Sequence, residues 1–260
     1  MSTNIPKFKT FFLFVSSLLF VSCVCHAAST KTSASAFSGK PAQQQVFTYL
    51  KEKTGTVATI PAYPQQSVIA WTVQRHREEK ANAEARYTLV AEDLLIARKL
   101  LNSKDIRRQR QGLRLTHYTS VFVFNKLGDK WLYARIFEGF LLPHLSVAHV
   151  EQWQDLSQQR LAEGGASAFE QAGEKENQVK ALRLLLRLQP EQNTQDWARG
   201  ELAQVLASLN RYAEAISELK AIKSPNMNNI KKLIPRYEQR LRELQSQRQK
   251  STKQAEPKKG

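Results

Sequence analysis

Cysteine is almost absent from this chain: it has two, Cys23 and Cys25, both within the first 27 residues. The rest therefore cannot carry a disulfide framework, a thiolate-ligated zinc site or a thiol nucleophile. Glycine is also scarce, at 10 of 260 residues, below the roughly 7% of an average protein. That disfavours turn-rich β architectures, and no glycine-rich loop is present to cradle phosphate. The longest apolar run, Phe11 to Val21, is well short of the roughly 20 residues a membrane-spanning helix needs. Mean hydropathy of −0.47 excludes a multispanning protein. Acid is the last shortage: 23 Asp and Glu face 39 Lys and Arg, a net charge of +16. Nucleic acid, anionic lipid and acidic proteins all remain open as partners.

Catalytic patterns are missing as well. No HExxH, GxSxG or EF-hand loop occurs in the chain,. The histidines are His26, His76, His117, His144 and His149. His144 and His149 are five apart and fall on different faces of a helix, unlike the i, i+4 spacing of a zinc-binding pair. Glu78-Glu79 and Glu92-Asp93 are adjacent carboxylates, which read as solvated helix surface rather than a facing acid–base pair. The expectation is a non-enzymatic protein with no catalytic residues, metal, cofactor or small-molecule substrate.

The N-terminus has the order of a secretory signal: Lys7 and Lys9 without acid, then the apolar run, then the small residues Ser22, Cys23, Ala27 and Ala28,. Cleavage at Ala27 gives a periplasmic or secreted chain. The alternative is a lipid anchor, since Phe20-Val21-Ser22-Cys23 resembles a bacterial lipobox with Phe20 where that family places Leu. Residues 28–40 are small and polar and read as a flexible linker, and 248–260 as a disordered basic tail.

Helical periodicity fills the body. Tyr87, Val90, Ala91, Leu94, Ala97 and Leu101 step by three and four, which predicts a helix over Ala83–Leu101,. A second covers Ile106–Phe124, where Val121-Phe122-Val123-Phe124 permits a strand as the alternative. Asp129 caps a third, which Pro143 ends. Helices are expected at Ser146–Glu163, Ser167–Ala172, Gln178–Leu188, Thr194–Leu209, Tyr212–Ile222 and Asn228–Gln247. Gly164-Gly165, Pro190, Asn210 and Ser224-Pro225 serve as breaks, and Thr54–Gln66 is a long non-helical connection.

A period of 34 runs through the C-terminal third, linking Ala181 to Ala215, Leu185 to Leu219 and Leu188 to Ile222. A small residue recurring at a helix crossing, with larger apolar ones four and seven positions on, suits stacked helix pairs. With Leu202-Ala203, Leu206, Asn210, Tyr212 and the nearby Pro225, this pattern resembles the tetratricopeptide repeat. The match is good over 166–225, weaker through 41–165 with Trp131 at a tryptophan position, and 226–247 resembles a capping helix. The resemblance implies an all-α superhelix of antiparallel pairs that grips a partner in a groove lined by the first helix of each pair. Carried onto this chain, the groove positions are Glu163, Ala166, Glu170, Trp197, Gly200, Gln204 and Ser208. The Lys/Asn set with which some members clamp a C-terminal carboxylate is absent. The expected role is an exported scaffold binding another protein or peptide segment in a bacterial envelope. The alternative is a basic surface, centred on Arg107, Arg108, Arg110 and Arg114, that binds nucleic acid or another anionic polymer or lipid.

Overall fold

The computed structural model describes residue 37 and residues 39–79, 82–147 and 156–255, all within a compact unit spanning Ala34–Gly260. The expected signal peptide, its cleavage sites, His26 and His149 lie outside the described residues. Among the described residues there is no strand; the architecture is all-helical.

Eleven α-helices follow one another among the described residues: α1 (Gly39–Thr54), α2 (Val68–Glu78), α3 (Ala83–Leu101), α4 (Ile106–Phe122), α5 (Lys130–Ile136), α6 (Gln158–Ala172), α7 (Lys175–Arg187), α8 (Gln192–Ser208), α9 (Tyr212–Lys220), α10 (Asn228–Lys231) and α11 (Ile234–Ala255). α3 takes the span its spacing predicts, and its start is fixed by Asn82, whose side chain accepts from the Ala85 amide,. Asp105 caps α4 in the same way through the Arg107 amide, and Asp129 caps α5 through that of Leu132. The ambiguous run at 121–124 is helical. α4 passes directly into a π turn, Val123–Leu127, closed by Gly128 at φ 63°. α5 likewise continues through a second π turn, Phe137–Leu141, into a 3₁₀ stretch, Leu142–Val147.

Several boundaries differ from the sequence reading. Gly164 and Gly165 do not break a helix; both lie inside α6. A side chain at Gly164 would meet the Phe137 ring at 2.9 Å, and one at Gly165 the Leu142 methyls at 3.1 Å. The two glycines are there so that the α5 segment can approach closely. The expected domain edge at 165/166 therefore falls in mid-helix, and the first pair opens at Gln158. The linker also ends sooner than expected: Phe37 is buried, stacked on Phe169 at 5.6 Å, and α1 opens at Gly39. The helix expected over 228–247 is broken after Lys231, because Pro235 has no N–H to offer the carbonyl four residues back,. It then extends to Ala255, into the segment read as disordered, since Gln, Lys and Arg are good helix formers and no proline intervenes before Pro257,.

Helices α6 to α9 form two consecutive pairs, with α6 on α7, α7 on α8 and α8 on α9; α11 then packs on α9. The second helices keep the period of 34: Ala181 and Ala215 are both wholly buried, as are Leu185 and Leu219. The first helices do not. Each pair turns through the same closing motif, in which the Glu174 amide donates to the Phe169 carbonyl (2.8 Å) and the Arg211 amide to that of Leu206 (2.9 Å),. Gly173 at φ 75° matches Asn210 at φ 60°. Measured from these turns, Phe169 corresponds to Leu206 and Ala166 to Ala203, a spacing of 37. The turn has thus moved by three residues from one pair to the next, while the pair starts, Gln158 and Gln192, remain 34 apart.

Asp196 locks the end of the second pair. It is fully buried on α8 and accepts from the backbone amides of Ser224 (2.7 Å) and Lys223 (3.1 Å) and from Gln192 Nε2 (2.9 Å). Burial pushes its carboxyl up, but the hydrogen bonds from Ser224, Lys223 and Gln192 outweigh burial and hold it below its usual value,. A depressed folded value means that this stabilisation is present above the unfolded pKa and disappears as pH falls through the folded one. Asp196→Ala is expected to destabilise the fold by about 1.5 kcal/mol at neutral pH and to flatten the acid limb of the stability profile. Urea melts across the acid range check both; an unchanged acid limb would show that Asp196 is not the titrating group.

Candidate functional site

The face of α8 that carries the predicted groove residues holds Trp197, which is 40% exposed between the buried Asp196 and Ala198. A helix keeps residues at i, i+4, i+7 and i+11 on one side, so Trp197, Glu201, Gln204 and Ser208 form a stripe. Gln204 and Ser208 are exposed, and Ser208 donates to the Val205 carbonyl at 2.7 Å. From α6, Glu170 is exposed and close enough to act on Glu201. Burial, and then the negative charge of Glu170, push the Glu201 carboxyl up,. Glu163 is half-buried and held by Arg160 at 3.0 Å.

Two of the seven predicted positions do not face outward. Ala166 is 2% exposed because, counted from the turn, it takes the place of the buried Ala203 and not of a groove residue. Gly200 is buried under the start of the C-terminal cap: a side chain there would meet Ile230 Cδ1 at 3.1 Å. Moved to the spacing of 37, the outward positions on α6 become Arg160, Glu163, Ser167 and Gln171. Glu201 was missed in the sequence, although its place four residues after Trp197 was the available signal. The arrangement pairs an open indole with two carboxylates in a chain rich in base, and suits a cationic or amphipathic segment.

Of the four arginines at the start of α4, Arg107, Arg110 and Arg114 stand at i, i+3 and i+7 and so share one side of the helix,. Arg107 is exposed; Arg108 reaches Gln65 Oε1 at 3.3 Å; Arg110 is half-buried, its Nε without a partner among the described residues; and Arg114 is exposed but engaged.

Two clusters of titratable groups lie elsewhere. His76 Nε2 is 2.6 Å from Asp93 Oδ2, Thr72 Oγ1 donates to Asp93 Oδ1 at 3.5 Å, and the Phe122 and Tyr118 rings lie 4.0 and 5.4 Å from the imidazole. Arg75 binds Glu92 beside them. This set ties α2 to α3. It resembles the His–carboxylate half of a catalytic triad, but His76 Nδ1 has no partner among the described residues, and hydroxyls beyond Thr72 bond elsewhere: Thr116 to Gly112, Thr119 to Leu115, Ser120 to His117. In the second cluster Tyr49 and Tyr87 both donate to Asp129 Oδ2, at 2.6 and 2.9 Å. Burial and then Asp129 raise both phenols, Tyr87 to about 12 and Tyr49 further. Burial holds the His144 imidazole below its usual pKa,. No group of three His, Cys, Asp or Glu able to hold a metal occurs among the described residues, and no described helix is long and apolar enough to cross a membrane. No family model, curated protein or solved structure matches the chain.

Proposed function

We propose that the protein is a non-enzymatic scaffold of tetratricopeptide-like helix pairs, exported to a bacterial envelope, which binds a segment of another protein along α6 and α8. The observation that carries this reading is Trp197. A large aromatic stands 40% open on a helix whose other apolar residues are nearly all buried, and exposed tryptophans of this kind anchor interfaces. The repeated burial of Ala181 with Ala215 and Leu185 with Leu219 supports stacked pairs. Glu170 and Glu201 beside the indole favour a segment bearing Lys or Arg.

A photo-crosslinker at Gln204, introduced in cells, tests the proposal. One discrete crosslinked protein is expected. Its affinity for the purified chain should fall about tenfold on Trp197→Ala, roughly 1.4 kcal/mol, with helicity unchanged, and should survive high salt. Capture of polyanions alone, all released by salt, would replace this reading with the electrostatic one.

A further inference from the structure

A cavity of about 620 Å³ opens between α1 and α3, far along the chain from Trp197, and is walled on one side by the extended segment after α1. Its lining includes three cations, Lys40, Lys51 and Arg98, and no acidic residue. None of the three makes a salt bridge among the described residues. Arg98 instead lies over the Phe47 ring at 4.6 Å. The floor is apolar, formed by Phe47, Leu50, Ala91 and Leu95, and Val57 stands at the rim 71% exposed.

The two helices run antiparallel here. Lys53 of α1 lies over Tyr87 at 5.9 Å, at the start of α3, and Phe47 meets Arg98 near its end. Arg98 is therefore on the Lys40 side of the cavity, with Gln43 and Gln44. Lys40 and Lys51, eleven residues apart on α1, share a face and stand about 16 Å apart along the axis. The groove thus has a cationic, polar end, an apolar middle, and Val57 and Lys51 at the far end.

The geometry points to a binding site for an anionic amphiphile: a single apolar chain laid along Phe47, Leu95 and Val57, with a carboxylate or phosphate head held by Arg98 and Lys40. The volume is that of a small-molecule site,. The chain's own N-terminal segment is no occupant by charge, since residues 1–36 contain no Asp or Glu.

Calorimetric titration of the whole protein tests the assignment. Dodecanoate and dodecyl phosphate separate a carboxylate head from a phosphate one; dodecyl maltoside and inorganic phosphate supply chain and charge alone. The expected result is one amphiphile bound per chain, with each half-ligand at least about tenfold weaker. Arg98→Gln, at a half-buried position, and Val57→Asp, at an exposed one, should each cost about tenfold, and Lys126→Gln, outside the groove, nothing. Circular dichroism confirms that the variants are folded. Equal binding of either half-ligand, or unchanged affinity in both groove variants, overturns the proposal. So does a decaglutamate peptide that binds more tightly than dodecyl phosphate and displaces it, which would make this a site for an acidic segment.

Discussion

Replacing Asp129 by alanine is expected to lower the unfolding free energy by about 3 kcal/mol. One carboxylate closes the start of α5 through the Leu132 amide at 2.9 Å and accepts the phenols of Tyr49 and Tyr87 from α1 and α3. A lost N-cap costs about 1 kcal/mol, and each half-buried phenol left without its acceptor costs about 1 more. Asn keeps the capping oxygen, so Asp129→Asn should lose about half as much. Chemical denaturation of the three proteins checks the order, and a loss below about 1 kcal/mol for Ala would mean that water replaces the carboxylate. The phenols add an alkaline signature. With folded values raised above 10, their protonated form contributes stability that is present below pH 10 and lost as pH rises through about 12 for Tyr87,. Ultraviolet titration reads this directly, and Asp129→Ala should bring both phenols back toward 10.

The second large effect has a sign that helix propensity alone would invert. Gly112 lies in the middle of α4, where alanine is favoured by about 1 kcal/mol. Yet a Cβ there would stand 2.9 Å from Leu100 Cβ, 2.9 Å from the Leu101 amide and 3.0 Å from the Ala97 carbonyl. Two of these atoms are backbone, so relief requires α3 and α4 to separate, and overpacking of a tight crossing costs about 3 kcal/mol. The net expectation for Gly112→Ala is a loss of about 2 kcal/mol, seen as a lower urea midpoint at unchanged slope. A raised midpoint would show that the helices do not cross this closely.

Spacing along the chain made the helices legible, because an apolar stripe at 3.6 residues leaves few alternatives. α3 and the cap at Asp129 follow from local residues alone. What failed were signs with two physical meanings. Gly164-Gly165 reads as a break, but it equally permits close packing, and only the Phe137 and Leu142 contacts decide. The groove positions were carried across at one spacing, so Trp197, Gln204 and Ser208 came out exposed while Ala166 came out buried. The cavity between α1 and α3 left no trace in sequence order, since Lys40, Val57 and Arg98 come together only through tertiary packing.

The displaced turn bears on how such a chain is rebuilt, in the laboratory or by duplication. α6 and α8 have 15 and 17 residues, and their partners α7 and α9 have 13 and 9. Length surrendered by one helix of a hairpin is taken up by the other, so the tip slides while the spacing to the next hairpin is conserved. Single helices are consequently not interchangeable parts. Grafting 192–208 in place of 158–172 without its companion would carry the first helix two residues past the tip, beyond the start of α7. The hairpin is the unit of exchange in this molecule.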